Sequence, residues 1–118
     1  MNKQQYERAH GLLAKDCEVA EEYFAAGGKT CAIGCLLKAV GITSLTSDQN
    51  ETAVYFLDVE VLAKLCQEFG LTLGELRMIQ EANDSEILDV ERRRAAVLGR
   101  LDRFRANYAL EEARTAHG

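Results

Sequence analysis

The stretch CAIGCLLKAV, residues 31–40, has a single charged side chain, Lys38, and is apolar on nearly every side when wound as a helix. A helix without a polar face is stable when it is buried on most sides. We therefore predict a helix over residues 31–40 at the centre of the fold, capped by Thr30 and ended by Gly41. Gly34 costs about 1 kcal/mol of helix propensity relative to alanine, which close backbone packing at that position offsets.

The rest of the chain also favours helices, because its 118 residues include no proline and its apolar residues recur at intervals of three or four. The further helices are expected over residues 3–26, from 50 or 58 to 70, over 72–82 and from 89 to 108 or beyond. Gly11 and Asp16 are candidate interruptions of the first one, and a short strand over residues 53–57 is the alternative to helix there. The predicted fold class is all-α: a single domain, residues 1–118, that forms a compact bundle of about five helices around residues 31–40.

Short polar and glycine-containing motifs predict where these helices begin and end. The sequence TLGE, residues 72–75, has the threonine and the glutamate of a capping box at a helix start. Gly27-Gly28 predicts a tight turn, and Asn83-Asp84-Ser85 predicts the break before the last helix. Residues 42–50 are expected to form a polar loop, and residues 111–118 a frayed end.

Composition and charge argue against several classes of protein. The net charge of −5 disfavours general affinity for nucleic acids and anionic membranes. The longest apolar run, residues 53–57, is too short to cross a bilayer, and the polar first residues do not resemble a secretory leader. We therefore expect a cytoplasmic protein without membrane association.

Four cysteines are the candidates for disulfides or for a metal site: Cys17, Cys31, Cys35 and Cys66. A reducing cytoplasm disfavours disulfides. The cysteine spacings do not match the paired knuckles of structural zinc sites, and only two histidines are present to add imidazole ligands. We expect reduced, buried thiols, no metal and no cofactor.

Cys31 is the candidate catalytic residue. Its predicted place in the first turn of a helix favours the thiolate, because unpaired backbone N–H groups and the helix dipole stabilise negative charge there. His10 as a base and Asp84 as the residue that orients it would complete a catalytic set. The alternative is that Cys31 is a small apolar residue packed at a helix start, and the scarcity of histidine favours this structural role.

Two further patterns are typical of macromolecular recognition. Residues 65–79 match the spacing of a helix-turn-helix, but the second helix carries Glu75, Arg77 and Glu81, a net negative face that phosphates repel. A packed helical corner is the favoured interpretation. Residues 90–110 carry six arginines and two acids. Such a run indicates a solvated face, docking onto the acidic remainder of the chain, or an acidic partner.

The last helix also carries an apolar row, in which Leu101 is expected to point inward. Phe104 and Tyr108 lie further along and are expected to stay partly exposed. Together with Arg93 and Arg100 they form the predicted binding surface, since aromatic and arginine side chains supply much of the energy of protein interfaces. A homodimer is the simplest use of this surface. The alternative is that both aromatic side chains close over the first helix.

The sequence KTCAIGCL, residues 29–36, with Asn83-Asp84 and Arg92-Arg93 downstream, resembles a group of short uncharacterised bacterial and phage proteins. In that group a C-A-x-G-x-L helix start precedes an FGL turn, an N-D pair and an arginine-bearing last helix. The similarity covers roughly residues 27–101. It implies an all-α fold without an established activity. It also implies that Cys31 and Asn83-Asp84 meet in space, with the Asp84 carboxylate accepting N–H bonds at the start of the Cys31 helix.

The sequence contains no phosphate-binding loop and no zinc-hydrolase motif. These observations favour a non-enzymatic helical interaction or regulatory protein that binds a protein partner or forms a homodimer. Structural roles are then expected for Cys31, Gly34, Asn83 and Asp84. The first alternative is a cysteine-dependent enzyme with Cys31 as nucleophile, and the second is a helix-turn-helix regulator that binds DNA.

Overall fold

Five α-helices, a π-helical segment and one short strand pair make up the described part of the chain. The computed structural model describes residues 1–16, 25–26, 29–42, 59–85 and 89–117. The elements are α1 (Lys3–Gly11), the π-helical segment (Leu12–Asp16), β1 (Ala25–Ala26), β2 (Lys29–Thr30), α2 (Ala32–Ala39), α3 (Val59–Phe69), α4 (Leu73–Asn83) and α5 (Val90–His117). The predicted all-α fold class is confirmed.

Helix α2 lies at the centre of the fold, as its composition predicts. Its residues from Ala32 to Leu37 are all buried, and they share one core with side chains from each of the other described α-helices. The fully buried members from those helices and from the π-helical segment are Ala9, Leu13, Leu65, Phe69, Leu76, Ile79, Val97 and Leu101. Burying a leucine, isoleucine or phenylalanine side chain stabilises a fold by about 1.5–3 kcal/mol, so this core is the main source of stability.

Local sequence signals set several helix boundaries. The Thr72 hydroxyl accepts a hydrogen bond from the Glu75 N–H at 3.1 Å, and the Glu75 carboxylate accepts one from the Thr72 N–H at 2.9 Å. The predicted capping box is therefore confirmed. Gly41 and Gly70 follow α2 and α3 with φ angles of 89° and 62°, the left-handed conformation that favours glycine. A Cβ at Gly70 would also lie only 2.3 Å from Gln5 Oε1.

The start of α2 differs from the prediction by one residue. Thr30 lies in β2, and the N-cap is Cys31, with φ −76° and ψ 176°. The Cys31 Sγ accepts a hydrogen bond from the Gly34 N–H at 3.2 Å. Because β2 pairs with β1, with Thr30 opposite Ala25, the backbone stays extended through residue 30, and the cap moves to the next side chain.

The first predicted helix is wrong at its far end. α1 ends at Gly11, one of the two candidate interruptions, and the chain continues as the π-helical segment to Asp16. Ala25–Ala26 then form β1 rather than helix, because they pair antiparallel with Lys29–Thr30. The helical spacing of apolar residues could not reveal a pairing that satisfies the same backbone groups between strands.

Three predictions fall on other parts of the chain. The Gly27-Gly28 turn, the polar loop beyond residue 42 and the strand alternative over residues 53–57 all lie outside the described residues. The described part of α3 begins at Val59 and ends at Phe69, which agrees with the predicted stop at Gly70.

Helix α5 has 28 residues and a length of about 42 Å. It packs against α1, the π-helical segment and α4. It continues through His117, whereas fraying was expected from residue 111, so its last turns extend the helix beyond the buried side chain of Phe104. None of the described helices is both long and apolar enough to cross a membrane.

Candidate functional site

Cys31 and the end of α4 meet at the centre of the fold. The Asn83 Oδ1 accepts a hydrogen bond from the Ala32 N–H at 2.9 Å, and the Asn83 Nδ2 donates one to the Asp84 carboxylate at 2.8 Å. Cys31 and Asn83 are 4% and 1% exposed. Two side chains therefore satisfy N–H groups in the first turn of α2: the Cys31 thiol at Gly34 and the Asn83 amide at Ala32.

Asn83, rather than the expected Asp84, makes the direct bond to the start of α2. Asn83 is the last residue of α4 and is buried, whereas Asp84 is half-buried. A neutral amide costs much less to bury than a carboxylate, and its two ends can accept from Ala32 and donate to Asp84 at once. Asp84 thus acts one bond away from α2, by holding the Asn83 amide.

The three residues of the hypothetical catalytic set occupy different settings. His10 lies on α1, where its ring contacts that of Tyr6 with 5.5 Å between the centroids. The Tyr6 hydroxyl donates a hydrogen bond to Asp102 of α5. This contact raises the pKa of Tyr6, with burial as the second cause. His10 therefore contacts Tyr6 of its own helix, whereas the Cys31 thiol is buried in the core.

The other described cysteines, Cys35 and Cys66, are at least partly buried and lie in surroundings that do not activate a thiol. Cys35 is buried, and its thiol donates to the Leu12 carbonyl oxygen at 3.7 Å. Burial raises the pKa of the Cys66 thiol, and the negative charge of Glu75 adds to the effect. A raised pKa favours the protonated, less nucleophilic thiol. Within the ranges the structure describes, no group of three or more histidine, cysteine, aspartate and glutamate side chains is arranged to hold a metal ion.

Part of the arginine run docks onto the chain itself. Arg94 donates to the carbonyl oxygens of Leu13 and Ala14 at 3.3 and 3.2 Å, across the π-helical segment. Arg105 donates to the Met1 carbonyl oxygen at 3.2 Å. Arg93, predicted to bind a partner, is buried in the fold. The expectation that Arg93 belongs to a binding surface is therefore wrong.

The two aromatic residues of the predicted surface differ in their exposure to solvent. Phe104 is 4% exposed and belongs to the core, so its expected exposure is wrong. Tyr108, one turn further on, is 36% exposed, and the Arg105 guanidinium lies 5.7 Å from the centre of its ring. The body of the bundle covers α5 as far as Phe104 and leaves Tyr108 partly in solvent. Arg100 is half-buried.

The sequence analysis did not identify the exposed residues on the side of α5 that faces away from the bundle. Its exposed residues are spaced by four and three positions: Gly99, Arg103, Ala106, Leu110 and Ala113, here called the outer seam. Leu110 is 61% exposed. The signal was present as a second row of small and apolar residues opposite the row that contains Leu101.

The helix-turn-helix spacing corresponds to α3 and α4, joined through Gly70. On α4 the Arg77 Nε lies 3.0 Å from the Glu81 carboxylate, and both side chains are exposed. This arrangement pairs a base with an acid on the helix that a DNA-reading domain inserts into the major groove. Comparison of the chain with protein-family models, with curated proteins and with solved structures gave no match.

Proposed function

We propose that this chain is a non-enzymatic helical interaction protein of the cytoplasm that regulates a process by binding a protein partner through the outer seam of α5. One observation carries the proposal: the exposed row from Gly99 to Ala113 on a long helix, in which every side chain except Arg103 is small or apolar. Such a row offers close contact to another helix, because small side chains let two backbones approach. Arg103 lies within the row and Arg100 lies beside it, and arginine is a residue typical of protein interfaces.

Charge favours a protein partner over a nucleic acid. The chain as a whole carries −5, so the arginines of α5 lie on a protein whose overall field repels phosphates. Several arginines of the run already have partners within the chain. Arg92 lies 3.8 Å from the Asp89 carboxylate, and Arg94 and Arg105 donate hydrogen bonds to backbone carbonyl oxygens. What is left for a partner is a mixed surface of aliphatic and basic groups, which fits a protein.

The cysteine-enzyme alternative has less support. A nucleophile must reach its substrate, and the Cys31 thiol is buried and accepts a hydrogen bond from Gly34. This bond is the one that an N-cap side chain makes at the start of a helix, which is a structural role. We therefore assign Cys31, Gly34, Asn83 and Asp84 to the support of the central helix.

Photo-crosslinking in cells of the native host tests the proposal. A photoreactive amino acid in place of Leu110 should give a covalent adduct with a protein, whether another copy or a different chain. The matched control is the same amino acid in place of Lys64, which is exposed on α3. Adducts of equal yield at both positions, or none at Leu110, would contradict binding through the outer seam.

A further inference from the structure

We draw no further inference here: the strongest candidate, the outer seam of α5 as a self-association surface, is a stripe of mainly small residues, and nothing in the described part of the structure shows what covers it.

Discussion

Replacement of Asn83 by alanine should destabilise the fold more than any other change to a polar side chain in α4. The substitution removes the acceptor of the buried Ala32 N–H, which lies 2.9 Å from Asn83 Oδ1. A buried donor left without an acceptor costs about 1–3 kcal/mol. The lost bond to Asp84 adds about 1 kcal/mol, since that carboxylate is half-buried and can turn to water. We expect a total of about 2–4 kcal/mol.

Urea unfolding followed by far-UV circular dichroism measures this cost. For a chain of this size the loss corresponds to a fall of about 8–16 °C in Tm. The matched control is Asn107→Ala, the same chemical change at an exposed position of α5, which should alter the free energy of unfolding by less than about 0.5 kcal/mol.

A second variant separates the hydrogen bond from packing. Asn83→Leu keeps the branched skeleton of the side chain, with larger methyl groups in place of the amide atoms, and has no acceptor, so it should be as destabilising as Asn83→Ala or more so. If Asn83→Leu is as stable as wild type, the tie between α4 and α2 contributes nothing, and the structural role assigned to Asn83 is wrong.

Three further changes have defined outcomes. Phe104→Ala should lower the free energy of unfolding by about 3–5 kcal/mol because Phe104 is in the core, whereas Tyr108→Ala should cost about 1 kcal/mol or less; comparable losses in urea unfolding would contradict the different burial of the two rings. Gly70→Ala should cost at least about 2 kcal/mol in the same assay, since φ is 62° and the added Cβ collides with a neighbouring side chain; a neutral effect would show that the turn relaxes freely. The hydrogen bond from Tyr6 to Asp102 raises the pKa of Tyr6 above 10.0, so its contribution of about 1 kcal/mol is present below that pH and is lost as the pH rises through the higher folded value. Tyr6→Phe should remove this alkaline loss from the pH dependence of unfolding, and an unchanged profile would assign the loss to other groups.

The features predicted best from sequence are those whose physical cause lies within a few residues. The capping box of Thr72 and Glu75 joins residues three positions apart. The stops at Gly41 and Gly70 depend on one backbone angle each. The burial of residues 31–37 follows from a composition that leaves this part of the helix no face for water.

The errors arose where contacts with another element of the fold overrode the preference of a single residue. Thr30 has the side chain of an N-cap, but strand pairing with Ala25 kept it extended and moved the cap to Cys31. Arg93 has the charge of a surface residue, yet it is buried when α5 packs against the rest of the bundle. The preferences of a single residue are weak, and tertiary contacts worth several kcal/mol override them.

The amino-acid pattern of this chain was sufficient for its helical class and for the identity of its central helix, because caps, glycine stops and the absence of a polar face act locally. The choice of contacts between helices needed the folded chain. Asn83 and Ala32 are 51 positions apart, and Arg94 and Leu13 are 81 apart. Such pairs form because packing of the core brings their backbones together, and that same packing determines which side of α5 is buried and which side is left as the outer seam.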